Sequence, residues 1–437
     1  MKYYSTNNKN LTVNLKEAVL TGMPGDNGLF MPAELKKPGD NFFKNLSKMS
    51  FQEMSKIICK NIIDDVEERI IDNIIDEAIN FDAPLVSIKE KISTLELFHG
   101  PTLAFKDFGA RFMSRLMAYF VKDSNHKLNI VVATSGDTGS AVANGFLGVE
   151  NINVLVLYPS GKVSDIQEKQ IATLGKNITS LEVDGTFDDC QKMVKAALTD
   201  KDILSNLKIT SANSINIARL IPQIFYYFRM FAQLDYHHND KIAVCVPSGN
   251  FGNLTAGLMG KKMGLPISQF IAATNINDVV PEYLETSIFT PRQSVPTISN
   301  AMDVGNPSNF ARILDIYDNN YTTISKAIKG HAFSDAETRE KMKQVFEKFN
   351  YVCDPHGAVG FLGLENFLNM NPRFTKGVFF ETAHPAKFKD TVDKTIGSDI
   401  EIPERLAKFL DREKLSVKIP NNFQDLKNLM LSDEQYR

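Results

Sequence analysis

Ile242-Ala-Val-Cys-Val-Pro-Ser-Gly-Asn-Phe-Gly-Asn253 is the stretch on which the fold turns. It opens as a short apolar run rich in β-branched residues, which reads as a strand. It continues through a turn of small residues into a helix that begins near Leu254. Gly249 and Gly252 let backbone N–H groups approach a ligand, and the helix N-terminus behind them favours an anion, most naturally a phosphate. The spacing is neither GxGxxG nor the Walker pattern, since no glycine lies five positions before Gly260-Lys261 and Lys262 is not Ser or Thr. Read alone, the segment is equally a plain strand-to-helix turn.

The same grammar recurs outward from it. Asn129–Ala133, Asn153–Leu157, Lys241–Val246, Phe270–Ala273 and Gly377–Glu381 read as strands separated by glycine-containing loops and helical stretches. Strand, small-residue loop, helix, strand is the pattern of βαβ units in a parallel sheet, whose ligands sit beyond the carboxyl ends of the strands. Ahead of these, Ser50 to Phe81 reads as helix, with a Ser50/Glu53 capping box and apolar residues from Met54 to Ile74 at helical spacing. From Pro403 onward the pattern is amphipathic helix plus polar tail, with no chemistry attached.

Composition narrows the function classes. A chain of 437 residues predicts two or three domains, and 43% hydrophobic with 23% charged residues excludes wholesale disorder. A net charge of −3 gives no electrostatic case for nucleic acid or an anionic membrane. No apolar run approaches the ~18 residues of a membrane span, and the polar Met1–Asn10 stretch has no signal-peptide core. Cys59, Cys190, Cys245 and Cys353 are scattered, with neither CxxC nor zinc spacing. The expectation is a cytoplasmic globular protein without metal and without an obligate protein partner.

Four more stretches carry side chains of chemical interest. Ala133-Thr-Ser-Gly-Asp-Thr-Gly-Ser140 follows a strand and opens a helix, so its hydroxyls and N–H groups suit a carboxylate or phosphate, or serve as an N-cap cluster. Phe98-His-Gly-Pro-Thr-Leu-Ala-Phe-Lys-Asp-Phe108 places Lys106 between aromatic rings; burial there would lower its pKa and make it a Schiff-base nucleophile and proton shuttle. The bland alternative is an amphipathic lysine paired with Asp107. Ser211-Ala-Asn-Ser-Ile-Asn-Ile-Ala-Arg219 gathers Asn213, Ser214, Asn216 and Arg219, a guanidinium fork with neutral donors beside it. Phe379-Phe-Glu-Thr-Ala-His-Pro-Ala-Lys-Phe388 leaves a strand through Thr382; His384 before proline reads as a turn residue, and Lys387 as a second cation or a solvated one. A buried-type lysine, a phosphate cradle, a second anion loop and an Arg/Asn cluster together describe a phosphorylated cofactor bound through an imine, as pyridoxal 5′-phosphate is.

The chain resembles the threonine synthase family, in its longer microbial and fungal branch. The resemblance spans nearly the whole length and rests on Asp26-Asn-Gly-Leu-Phe-Met-Pro32, the Lys106 motif, Thr134–Ser140, Ser248–Asn253, Ser299-Asn-Ala-Met-Asp303 with Pro307-Ser-Asn309, and Thr382–Phe388 in order. It implies an α/β fold of type II among pyridoxal-phosphate enzymes, similar to tryptophan synthase β. Two lobes would follow an N-terminal helical region: residues 1–92 form that region, 93–125 with 205–437 the larger cofactor-binding lobe, and 126–204 the smaller lobe. It implies a lyase that makes L-threonine and phosphate from O-phospho-L-homoserine and water by γ-elimination and β-addition, the last step of threonine biosynthesis.

Residue by residue, the resemblance assigns the cofactor imine to Lys106. Gly249, Asn250, Phe251, Gly252 and Asn253 would surround the cofactor phosphate, with Asn253 where some relatives carry Asp. Thr382 would hydrogen-bond the pyridine nitrogen. Ser135, Asp137 and Thr138 would lie by the substrate carboxylate and the cofactor's 3′ oxygen, and Asn213, Ser214 and Arg219 would hold the substrate phosphate. A serine/threonine dehydratase would share Lys106 and the cradle but needs no second phosphate cluster. A non-catalytic homologue binding the cofactor or a phospho-ligand would need no imine.

Overall fold

The computed structural model describes residues 1–436. Two sheets organise it. The larger has six strands in the order Ile328–Ala332, Gln269–Thr274, Ile242–Pro247, Lys376–Glu381, Ile92–Glu96, Leu85–Lys89. All neighbours run parallel except the last pair. The smaller is fully parallel, in the order Val417–Pro420, Ile178–Asp184, Ile152–Pro159, Leu128–Ala133, Lys208–Ser211. Its central strands Leu128–Ala133 and Ile152–Pro159 are buried at every position, as are Ile242–Pro247 and Gln269–Thr274 in the larger sheet. Helices therefore cover both faces, which explains why these strands read as unbroken apolar runs.

Each of the five strands expected from sequence is present. Three local expectations change. The 50–81 stretch is two helices, Phe51–Lys60 and Glu68–Ala78, the first carrying the Ser50/Glu53 capping box. The first helix ends where Ile62 and Ile63 N–H groups both return to the Cys59 carbonyl. The turn's carboxylates are then taken by the N-terminus: Asp64 pairs with the Met1 amino group, and Asp65 accepts from Leu15 N at 3.0 Å. Ile62, Ile63 and Val66 are buried in the turn itself, so the apolar spacing continues where the helix does not. The C-terminal stretch holds two helices, Glu404–Leu410 and Phe423–Ser432, with the edge strand Val417–Pro420 of the smaller sheet between them. That strand and Lys208–Ser211 bring the smaller sheet beyond the 126–204 span, and Leu85–Lys89 brings the larger sheet into the 1–92 region.

The helix Lys106–Val121 joins the sheets, leading from the larger one to Leu128–Ala133. Its first turn is anchored by Phe108, whose ring lies 4.7 Å from Phe81, 5.8 Å from Phe51 and 5.5 Å from Tyr226. Such aromatic pairs contribute roughly 0.5–1.5 kcal/mol each beyond burial. Gly109 lets the same turn rest on Arg219: a Cβ there would come within 2.8 Å of the guanidinium Nε and 2.9 Å of the Arg219 carbonyl oxygen.

Candidate active site

Lys106 is the first helical residue of that connecting helix, and a short backbone crossing fixes where it points. Phe105 N donates to the Thr382 carbonyl at 2.8 Å, and His384 N donates to the Leu103 carbonyl at 3.0 Å. Lys106 and Thr382 consequently line the same cavity, of about 420 Å³, between the carboxyl ends of the two sheets. Asp107 is not the lysine's partner: it turns away to accept from Thr102 N at 2.8 Å and Thr102 Oγ1 at 2.7 Å. Among the described residues no hydrogen bond or ion pair engages the Lys106 ammonium, whose aromatic neighbour is the Phe105 ring at 5.9 Å. Desolvation lowers its pKa to about 8, against the pull of Asp137 and with the push of Arg219 and Lys387. Its proton is held less tightly than an ordinary lysine's, and the side chain lines the cavity.

The glycine-rich loop behaves as its sequence predicts at the backbone. Phe251 takes the left-handed conformation (φ 60°) and leads into the helix Gly252–Lys262 as an N-cap residue that makes no side-chain cap hydrogen bond. That helix end, lining the cavity, is an anion site by geometry and dipole. Asn253 lines the cavity, with its side chain spent on the turn. Its Oδ1 accepts from Ser248 Oγ (3.0 Å) and Leu254 N (2.9 Å), and its Nδ2 donates to the Pro247 carbonyl (2.8 Å), so the side chain braces the turn. An aspartate would leave that carbonyl without a donor. Gly249 has no room for a side chain, because a Cβ would fall 2.6 Å from the Ala301 oxygen and 2.8 Å from Met302 Cα. Gly249→Ala is expected to push the Asn300–Met302 turn off the loop. The cost is about 1–3 kcal/mol of stability, with cofactor affinity at least about tenfold weaker, read by thermal melting and absorbance titration.

The Asn213–Arg219 segment meets this loop directly. Asn250 Nδ2 donates to Ser214 Oγ at 2.6 Å, while Asn250 Oδ1 accepts from Ser308 N at 2.6 Å. Asn213, Ser214 and Arg219 all line the cavity. Asn216 does not; its Oδ1 caps Ala218 N and its Nδ2 reaches the Val19 carbonyl. Arg219 is 3% exposed, its Nη1 donates to the Ala212 carbonyl at 2.5 Å, and its Nε has no partner. Burial lowers its pKa to about 10, leaving it fully charged at neutral pH. Behind it stands a second buried cation that sequence reading missed. Arg312 donates to the Ser214, Ile215 and Phe30 carbonyls and to Asn309 Oδ1 (2.6 Å), and has no carboxylate partner among the described residues. Of the two only Arg219 lines the cavity, and Asp107 acts on it through space without an ion-pair contact.

Ser135 and Thr138 line the cavity from the smaller sheet's side, where Thr134 Oγ1 accepts from Gly136 N and Gly139 N and shapes the loop. Asp137 is placed differently from expectation: it is outside the cavity lining, paired with Lys387 at 2.8 Å and hydrogen-bonded by Gln167 Nε2 at 2.9 Å. His384 is the turn residue expected, its Nδ1 accepting from Ala386 N, and burial lowers its pKa to about 4. The cavity is completed by His356, which had no local signal, and by Asp303 of the Ser299–Asp303 motif. His356 lines it, its Nδ1 hydrogen-bonded to Asp354 and its Nε2 accepting from Ala301 N at 3.2 Å. Asp303 accepts from Asn275, Asn277 and Thr297 and fixes the loop above Gly249.

These residues fit pyridoxal phosphate. A lysine with a pKa lowered to about 8 shares the cavity with a neutral Thr382 hydroxyl, a helix N-terminus offers N–H groups to a phosphate, and the Arg219 guanidinium, with no carboxylate in ion-pair contact among the described residues, remains for a second anion. The comparisons agree. Residues 88–380 match the model of pyridoxal-phosphate dependent enzymes, residues 2–79 that of the threonine synthase N terminus, and residues 357–430 that of the threonine synthase C-terminal region. Threonine synthase of Haemophilus influenzae is 43% identical over 432 residues, 99% of this chain and all of that one.

The chain belongs to the threonine synthase family.

Its backbone follows that family closely. The crystal structure of threonine synthase from Escherichia coli superposes with a TM-score of 0.92 at 40% identity, covering 99% of this chain and 100% of that one. A structure described as PLP-bound threonine synthase from Brucella melitensis gives 0.90 at 30% identity over 98% of each chain. The threonine synthase family is one of pyridoxal-phosphate-dependent lyases, so the α/β fold, the cofactor class and the enzymatic nature expected from sequence all stand. No helix among the described residues is long and apolar enough to cross a membrane.

Proposed function

We propose that the chain converts O-phospho-L-homoserine and water to L-threonine and inorganic phosphate, with Lys106 as the cofactor lysine. The observation that carries this reading is the buried Arg219, with no carboxylate in ion-pair contact among the described residues, in the same cavity as an unpaired lysine whose pKa is lowered to about 8. One phosphate, on the cofactor, accounts for the Gly249–Gly252 backbone. The cluster of Asn213, Ser214 and Arg219 answers a second one, on the substrate.

When bound, pyridoxal phosphate supplies an electrophilic carbon for the substrate amine and a conjugated ring that draws electron density from the adjacent carbons. The protein groups then have distinct tasks. Lys106 Nζ removes the proton from substrate Cα and shuttles it onward, which its pKa of about 8 permits at physiological pH. Thr382 offers a neutral partner to the pyridine nitrogen. Ser135 and Thr138, with the N–H groups of their loop, hold the substrate carboxylate. Arg219, Asn213 and Ser214 stabilise the substrate phosphate as charge accumulates during its departure from Cγ. Enclosure between the two sheets keeps water from the reacting carbons until Cβ is ready to receive it. Four buried, unbridged cysteines fit a reducing compartment, and we place the enzyme in the cytoplasm.

A dehydratase on the same fold has no use for the Arg219 cluster, and parallel assays separate the two. With O-phospho-L-homoserine the expected product is threonine; with threonine as substrate, 2-oxobutyrate formation stays below about 1% of that rate. Faster turnover of threonine than of the phosphorylated substrate would reverse the assignment.

A further inference from the structure

Lys387 is 1% exposed, and its ammonium has two partners: it lies 2.8 Å from Asp137 Oδ1 and 2.8 Å from the Thr102 carbonyl that it donates to. The pair crosses between the lobes. Asp137 opens the helix that follows the smaller sheet's strand Leu128–Ala133, whereas Lys387 follows the larger sheet's strand Lys376–Glu381. The smaller side adds Gln167 Nε2 to Asp137 at 2.9 Å and Gln170 Nε2 to the Thr102 carbonyl at 3.2 Å. Thr102 lies on the loop that delivers Lys106, four residues on.

We propose that the Asp137–Lys387 pair is a positioning device that both latches the two lobes around Lys106 and sets the charge state of its amine. Resting on the reading of Lys106 as the cofactor lysine, the proposal gives each member an opposite electrostatic sign. Asp137 is the charged group acting most strongly on Lys106 and favours its protonated form; Arg219 and Lys387 oppose it. The charged and titratable groups facing Lys387 are Asp137, Lys106, Asp107 and His384. Burial would raise the Asp137 carboxyl, but Lys387 and then Lys106 outweigh it, so Asp137 stays ionised. Intact, the pair sets opposed charges beside the amine, Asp137 acting more strongly than Lys387, while desolvation remains the largest influence and lowers the Lys106 pKa.

The test uses apoenzyme and pyridoxal phosphate, following the lysine-linked cofactor absorbance as its formation rate varies with pH. Only the neutral amine attacks, so the rate rises through the Lys106 pKa, near 8 in the unaltered chain. Lys387→Met exposes Lys106 to an unpaired carboxylate and is expected to move the midpoint up by about one unit. Asp137→Asn leaves Lys387 unpaired and moves it down by a similar amount; the double variant returns it towards the parent value, and Lys387→Arg preserves it. A purely structural pair would shift both single variants in one direction or neither, and that result overturns the proposal. If Lys387→Met does not fold, the near-isosteric Asp137→Asn decides alone, an unchanged or raised midpoint being the contrary outcome. Lys106→Ala separates this from the underlying reading: if it still forms the linked absorbance, the cofactor-lysine assignment has failed instead.

Discussion

Lys106→Ala is expected to lose threonine formation by at least about a thousandfold in kcat/KM, the combined effect of removing a general base and a covalent anchor. The chain itself should fold as before. No hydrogen bond or ion pair among the described residues depends on the Lys106 ammonium, and its removal relieves a desolvated cation. The first turn of its helix stays anchored by Phe108 against Phe51, Phe81 and Tyr226. Thermal melting of the apoprotein, unchanged within a degree or two, and steady-state kinetics with added cofactor check the two halves. Activity within tenfold of the parent would mean that another group takes the proton.

The second large effect is at Arg219. Arg219→Met keeps much of the side chain's volume and deletes the charge. Truncating one partner of a buried, hydrogen-bonded charge pair costs about 2–5 kcal/mol. At about 1.4 kcal/mol per tenfold, kcat/KM for the phosphorylated substrate falls between about thirtyfold and a few thousandfold. Inhibition by inorganic phosphate should weaken in parallel, because product and leaving group meet the same guanidinium. Cofactor absorbance should persist, since on the proposed reading the cofactor's own phosphate belongs to the Gly252–Lys262 helix end instead. On the stability side the variant gives up the Ala212 carbonyl hydrogen bond, worth about 1 kcal/mol, and sheds an uncompensated buried charge. An unaltered KM together with unaltered phosphate inhibition would remove Arg219 from the substrate site.

What the sequence made legible was local. A strand ending in a glycine turn and a helix start can be read within twelve residues, and the backbone of Ile242–Asn253 behaves as read. Hydrophobic spacing misled where the chain turned without leaving the core: Ile62, Ile63 and Val66 continue the helical pattern through a break closed by Cys59 and consumed by Asp64 and Asp65. Long-range partnerships left no trace. Asp137, in an anion loop, looked out of place until Lys387, 250 positions further on, supplied its counter-charge. Arg312 was indistinguishable from a surface arginine, because its ligands are carbonyls of Phe30, Ser214 and Ile215 from distant segments. Val417–Pro420 is too short and too polar to read as a strand, and exists because Ile178–Asp184 offers it an edge.

The central claim is that one cavity joins a γ-elimination to an addition of water. The most direct measurement is the stoichiometry of products from O-phospho-L-homoserine with the purified chain and pyridoxal phosphate. Threonine and inorganic phosphate in equal amounts, both abolished by Lys106→Ala, is the predicted result. Phosphate accompanied by 2-oxobutyrate without threonine would contradict it, leaving an enzyme that eliminates phosphate but does not direct water to Cβ.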